Sequence, residues 1–179
     1  ELAALGVRAC AVVGDVRKPD DVDAVIATTV STLGGLDILV NGAAGNFVAR
    51  AEDLSPNGFG TVVDIDLKGT FNVSRAALPH LRASGRGVVL NISATLQLLG
   101  TIGQSHAAAA KAGIDSLTRT LAVEWGGYGI RVNGVAPGPV DGTEGVRRLV
   151  SAEARQVIAA QCPLGRMATI EEIADASMF

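Results

Sequence analysis

Residues 87–93 read G-V-V-L-N-I-S, residues 104–125 read Q-S-H-A-A-A-A-K-A-G-I-D-S-L-T-R-T-L-A-V-E-W, and residues 130–135 read I-R-V-N-G-V. The first and last are short apolar runs that predict buried strands. The middle stretch is too long for a strand and predicts a helix. The alternation extends toward the N-terminus. Residues 36–41 (L-D-I-L-V-N) predict a strand, and Ser55-Pro56 predict a helix cap, with the helix running to about Leu81. Pro19 opens a helix to about Leu33 with Val22, Val25, Ile26 and Val30 on one face. Residues 9–14 (A-C-A-V-V-G) predict a buried strand ending at Asp15. Pro137-Gly138-Pro139 break the chain before more helix, and no repeat or linker appears. Strands alternating with helices give the expected class: α/β, one domain over residues 1–179 built on a doubly wound parallel sheet.

Composition narrows the function. With 48% hydrophobic and 18% charged residues in 179, the chain can bury a core, which excludes disorder as its main state. The net charge of −3 comes without a dense basic run, so nucleic acid is not an expected partner. No apolar stretch approaches the roughly 18 residues of a membrane span. Cys10 and Cys162 have neither metal nor redox spacing and read as buried thiols of a reducing compartment, and no metal is expected. Residues 1–6 (E-L-A-A-L-G) read as a last helical turn stopped by Gly6, and residues 170–179 as a helix still running. No targeting segment is visible in the chain.

Ligands of open α/β sheets bind beyond the carboxyl ends of the strands. Those ends read Asp15-Val16, Asn41-Gly42-Ala43-Ala44-Gly45, Asn91-Ile92-Ser93-Ala94 and Pro137-Gly138-Pro139, with Lys111-Ala112-Gly113 in the following helix. In this order and spacing they resemble the short-chain dehydrogenase/reductase family over essentially the whole chain. That resemblance implies a Rossmann-like sheet of order 3-2-1-4-5-6-7, beginning here at its third strand and stopping before its last. It therefore implies a natural protein longer at both ends, with 1–179 alone expected to be unstable and unable to bind cofactor. The family's Gly-rich phosphate loop, G-x-x-x-G-x-G, is absent from these residues.

The catalytic slots depart from the family pattern. Typical members place Tyr four residues before the Lys and Ser thirteen before that Tyr; the slots hold Ala107 and Ala94. Enoyl-acyl-carrier reductases place Tyr seven before the Lys, where Gln104 stands, and the one tyrosine, Tyr128, follows Lys111. Asp66 occupies the slot of the family's Asn in Asp66-Leu67-Lys68-Gly69. With N-G-A-A-G-N-F at 41–47, His106-Ala107 before the Lys, and P-G-P-V-D-G-T-E-G at 137–145, the chain resembles the peroxisomal-type 2,4-dienoyl-CoA reductases. That branch implies NADPH-dependent reduction of a dienoyl thioester to a 3-enoyl thioester, an acyl-CoA substrate, a peroxisomal location (cytoplasmic as the alternative) and a homo-oligomer.

The chemistry suits the residues present. Hydride addition to a conjugated thioester pushes charge onto its oxygen, so the protein must stabilise an oxyanion and protonate carbon. Asp66 is the candidate acid. Its helical neighbours Val62, Val63, Gly69, Thr70 and Val73 make a mostly apolar face, where desolvation raises a carboxyl; the alternative is a structural carboxylate capping a backbone group. Asp64, four before Lys68, has the spacing of a solvated pair. Lys111, one of three lysines, would by resemblance hold the nicotinamide ribose and add positive potential; the alternative is a surface pair with Asp115. His106 reads as substrate slot or core, Ser93 as structural, and Asn91 as a tie between strands.

By the same resemblance Asp15 accepts from the adenine amino group, and Asn41 with Gly45 lies beside the adenosine ribose, where a tight turn serves equally. Pro137, Gly138, Pro139, Val140 and Thr143 wrap the nicotinamide carboxamide. Arg17, Phe47, Ser55, Pro56, Asn57 and Arg148 match the branch's acyl-CoA contacts, although Arg147-Arg148 on a helix is by default a solvated face. Two other readings stay open: a carbonyl or alcohol oxidoreductase with an unusual acid, and a degenerate member that only binds nucleotide.

Overall fold

The computed structural model describes residues 2–179. A 3-10 turn at Leu2–Leu5 is closed by Gly6 at φ 71°; the helical turn expected there is thus a tighter 3-10 turn, and its Glu1 lies outside the described residues. Helix α1 covers Pro19–Leu33, strand β1 Ile38–Asn41, and α2 Pro56–Val63. A single π-helical turn, Asp64–Lys68, joins α2 to α3 at Gly69–Ser84. Strand β2 (Val88–Ile92), α4 (Ser105–Gly126) and β3 (Arg131–Val135) complete the central unit. Three further helices follow: α5 at Glu144–Leu149, α6 at Ala152–Gln161 and α7 at Ile170–Met178.

The sheet order is β1-β2-β3, both pairs parallel. Register sets Leu39 beside Val89 and Val89 beside Val132, so one row of apolar side chains crosses the sheet. Against that row pack Val22 and Ile26 of α1, Ala77 and Leu81 of α3, and Leu121 and Trp125 of α4. The alternate residues Ile38 and Val40 point away from this cluster, at 61% and 55% exposure. Leu81 is fully buried at the centre of the cluster. Leu81→Ala is therefore expected to cost about 2–5 kcal/mol, read as a lower midpoint in urea unfolding; an unchanged midpoint would mean the site collapses without a cavity.

Residues 9–14 do not form the expected buried strand. They belong to no strand, and Val13 stands fully exposed. An apolar run becomes a buried strand only when a neighbour supplies its backbone partners, and the sheet at β1 does not reach this stretch. For the same reason Cys10 is exposed rather than buried, while Cys162 is half-buried beyond the end of α6. The end of the stretch is nevertheless held. Asn72 donates from Nδ2 to the Val16 carbonyl at 2.9 Å, and a Cβ on Gly69 would lie 2.6 Å from Val16, so the bare glycine lets Val16 rest on α3.

Candidate active site

The π turn decides where Asp66 points. One residue too many in a helical turn rotates the side chains beyond it and frees carbonyls from the regular ladder. Here the Asp66 carbonyl is taken by the Thr70 hydroxyl at 2.6 Å, which satisfies the irregular turn. The Asp66 carboxyl, only 1% exposed, then faces inward. Its Oδ1 accepts the Gly45 N–H at 2.7 Å, and its Oδ2 lies 3.4 Å from Lys111 Nζ. So the surroundings are less apolar than the helical neighbours suggested: the loop after β1 and the helix α4 bring a donor and a cation to it. Burial dominates all the same and pushes the Asp66 carboxyl above its usual range, against the opposing pull of the Gly45 N–H and Lys111.

Lys111 is buried to 8% exposure on α4 and donates to the Ile92 carbonyl, at the end of β2, at 3.0 Å. It does not form the surface pair with Asp115, whose carboxylate accepts from Gln97 instead. Two residues on from Lys111, Gly113 lies against Leu67, where a Cβ would come within 2.6 Å of Cδ2; the bare backbone lets α4 lie close to the π turn. An ammonium has three hydrogens, and Ile92 and Asp66 account for two. The third has no partner among the described residues. Asp64 pairs with Lys68 at 3.6 Å on the surface, as its spacing predicts.

The strand ends carry the rest. Asn41 donates from Nδ2 to Ser74 Oγ at 2.9 Å and to Asn91 Oδ1 at 2.8 Å, and Asn91 donates to Thr118 Oγ1 at 2.8 Å. Asn91 thus ties β1, β2 and α4 together, and the Asn41 side chain belongs to that network. The buried Ser93 hydroxyl turns to the Lys111 carbonyl at 3.4 Å. Asp15 is clamped by Arg17: the Arg17 N–H and Nε reach Oδ1, and Nε and Nη2 reach Oδ2, at 2.6–3.0 Å. That clamp holds the Asp15 carboxyl down at about 2. Three N–H groups of Arg17 thus make four contacts with the two carboxylate oxygens, and Asp15 is held within that clamp.

Around residues 137–143 the backbone is pinned. Thr95 N–H donates to the Pro137 carbonyl, Ala168 N–H to Pro139, and Asp141 N–H to Ala168. Val140 bridges Ala168, and the Thr143 hydroxyl caps α5 while donating to the Val140 carbonyl. Gly138 lies exposed in this loop. Ser55 caps α2 by accepting the Gly58 N–H at 3.0 Å, which puts Pro56 and Asn57 in its first turn. A Cβ on Gly58 would lie 3.2 Å from Phe47 Cζ, so Phe47 and the start of α2 adjoin. Arg148 is exposed on α5.

Three contacts had no sequence signal: the Gly45 N–H on Asp66, the Ile92 carbonyl on Lys111, and a bond from Asn46 Nδ2 to the buried Gln104 Oε1 at 2.7 Å. The first two use backbone atoms, which any residue type supplies. The alanines behave as their slots suggest. Ala107 is 2% exposed one turn before Lys111, and Tyr128 sits past the far end of α4 with Arg82 stacked 4.3 Å over its ring. Ala107→Tyr is expected to give no ketone reduction, because Ala94 supplies no hydroxyl partner. The larger side chain should instead overpack the site and cost about 1–3 kcal/mol; measurable ketone turnover would overturn this. Among the described residues no cluster of three or more His, Cys, Asp or Glu could hold a metal, and no helix is long and apolar enough to cross a membrane.

Comparison with known proteins finds relatives in sequence and in fold. The family model described as enoyl-(acyl carrier protein) reductase matches residues 1–179. The chain is 49% identical to the peroxisomal 2,4-dienoyl-CoA reductase [(3E)-enoyl-CoA-producing] of Arabidopsis thaliana, over 99% of its own length and 63% of that protein. It is 48% identical to the probable 2,4-dienoyl-CoA reductase [(2E)-enoyl-CoA-producing] of Bacillus subtilis, over 92% of its own length and 66% of that protein. The chain thus spans a little under two thirds of the length of these relatives. Among solved structures, a gluconate 5-dehydrogenase from Burkholderia cenocepacia in complex with NADP and tartrate superposes with a TM-score of 0.93 at 31% identity, covering 99% of this chain and 70% of that one.

Proposed function

The chain belongs to the short-chain dehydrogenase/reductase family, in the group described as enoyl-(acyl carrier protein) reductases, and from that premise we propose that it reduces 2,4-dienoyl-CoA thioesters with NADPH to 3-enoyl thioesters. The observation that carries the reading is a buried Asp66–Lys111 pair beside alanines at the family's tyrosine and serine slots. An alkoxide relay has no phenol to work with there, whereas a protonated carboxyl beside a cation suits proton delivery to carbon. The identity to dienoyl-CoA reductases supports the same substrate class.

When bound, NADPH supplies hydride to the conjugated carbon farthest from the thioester. The displaced electron pair runs to the thioester oxygen as an extended dienolate, and the product depends on which carbon is then protonated. Protonation next to the thioester leaves a 3-enoyl product; protonation two carbons farther leaves a 2-enoyl product. Asp66 is the acid in this proposal. Its Oδ1 accepts the Gly45 N–H, and its Oδ2 faces the Lys111 ammonium. Lys111 offers its free hydrogen to a ribose hydroxyl and places positive potential beside the developing anion. Asp15, Asn41 and residues 137–143 would line the cofactor, with Pro137, Gly138, Pro139, Val140 and Thr143 nearest the carboxamide. Phe47, Ser55, Pro56 and Asn57 would receive the acyl-CoA, with Arg17 and Arg148 for its phosphates.

The test is NADPH oxidation by the full chain with a 2,4-dienoyl-CoA and with simple ketones, followed by identification of the enoyl product. Turnover of the dienoyl thioester to a 3-enoyl product supports the reading. Turnover of ketones alone would make the protein a carbonyl oxidoreductase, and tight NADPH binding without turnover would make it a nucleotide-binding member of the family. A peroxisomal location and a homo-oligomer belong to the same proposal, checked by imaging the tagged full chain and by its mass in solution.

A further inference from the structure

We propose that His106 is a positioning residue: its ring N–H holds the Phe47 carbonyl and so fixes the loop that joins the acid Asp66 to the substrate-facing Phe47. The inference rests on the reductase reading and adds a residue to it. His106 is fully buried in the first turn of α4, yet neither the acid nor the cofactor role uses it. Its Nε2 lies 3.0 Å from the Phe47 carbonyl oxygen. A carbonyl only accepts, so Nε2 is the donor. The ring also lies against the Phe47 ring, centroids 4.5 Å apart and planes tilted by 32°. The other ring nitrogen, Nδ1, is buried and has no partner among the described residues. A buried polar atom left unpaired is costly, and packing alone would be served better by an apolar side chain.

The bond gains its meaning from its neighbours. Three consecutive loop residues are each held from a different side: Gly45 by Asp66 Oδ1, Asn46 by Gln104 Oε1 and Phe47 by His106. A fourth hold follows at Ala49, whose N–H donates to the Gly103 carbonyl at 3.1 Å. Gly103 has φ 75°, and a Cβ there would lie 2.8 Å from Val48, so this approach of the two segments needs glycine. Thus residues 103–106 staple residues 46–49, and the staple sits two residues from the N–H that orients the acid. Loosening Phe47 would let Gly45 drift from Asp66 Oδ1 and would turn the Phe47 ring away from the acyl-CoA. Both change the reaction without touching Lys111.

The test compares His106→Phe with His106→Gln in the full chain. Phenylalanine keeps the ring contact and removes the donor; glutamine restores an N–H at similar reach. In His106→Phe the Gly45 and Ala49 amides are expected to exchange with deuterium at least tenfold faster, with the amides of α3 unchanged. The kcat/KM for a dienoyl-CoA should fall at least tenfold while the NADPH Kd stays within twofold. His106→Gln should bring both readouts back to within about threefold. Unchanged exchange at Gly45 and Ala49 in the Phe variant would overturn the proposal. So would a Gln variant no better than Phe, or a lowered melting temperature with unaltered loop exchange and kcat/KM. If the unsubstituted protein does not turn over dienoyl-CoA, the reductase reading fails, and the exchange readout still decides whether His106 holds the loop.

Discussion

Asp66→Asn is expected to lower turnover of a dienoyl thioester by about a hundredfold or more, while NADPH affinity stays within a factor of two. Asparagine keeps the shape of the side chain and an oxygen for the Gly45 N–H, and it has no acidic proton to deliver. Alanine is the blunter substitution. It would leave Lys111 buried with only the Ile92 carbonyl as partner, and removing one member of a buried pair typically costs about 3–5 kcal/mol. Asp66→Asn also takes the Asp66 partner from Lys111 but keeps the Gly45 contact, so a thermal melt of each variant beside its turnover separates chemistry from folding. Steady-state NADPH oxidation and a binding titration on the same preparation read the two quantities. Near-normal turnover in Asp66→Asn would reduce Asp66 to a structural carboxylate that caps Gly45.

The same carboxyl gives a pH dependence whose sign follows from its environment. Burial raises its folded-state value above the unfolded one, so the folded state holds this proton over a range in which the unfolded chain has released it. Its contribution to stability is complete below the ordinary carboxylate range and is lost as pH rises through the raised value. Rate and stability should move together: kcat/KM falls on the alkaline side as Asp66 ionises, and the stability of the wild type relative to Asp66→Asn falls over the same interval. Denaturant midpoints of both proteins across that interval, set beside the pH–rate profile, check the correspondence.

The frame of this site was legible in the residues because strands and long helices declare themselves by length, apolar runs and caps. Helix α1 from Pro19 to Leu33, the Ser55 cap and the strand ends at Asn41 and Ile92 all fall within a residue or two of the expected positions. What was hidden depends on partners distant in sequence. Residues 9–14 look like a strand, but strand formation is a property of the pair, and their backbone finds none. The π turn was equally hidden. A helix through Asp64–Lys68 presents an apolar surround to Asp66, while one extra residue in the turn carries the carboxyl to Gly45 and Lys111. The Arg17 clamp on Asp15 was hidden as well, because the two residues were considered as separate contacts.

Lys111→Met tests the other half of the pair, and it should damage binding as well as rate. Methionine fills a similar volume without charge or donors, so the three hydrogens that reach Ile92, Asp66 and the proposed ribose hydroxyl all vanish. NADPH affinity is expected to weaken by tenfold or more, about 1.4 kcal/mol, and kcat by about a hundredfold, since positive potential beside a developing anion is worth that much in a water-poor site. The remaining activity carries a further signature. Lys111 is one of the influences that pull the Asp66 carboxyl down against burial; without it the carboxyl rises further, and the alkaline fall in rate should move to higher pH. Arginine is no substitute here, because its planar fork is too large for a site in which Lys111 is 8% exposed and already bonded to the Ile92 carbonyl. An unchanged NADPH affinity in Lys111→Met, with the alkaline limb still displaced upward, would separate the two roles. Lys111 would then act on Asp66 alone, and the cofactor would have to be held by the strand ends and residues 137–143.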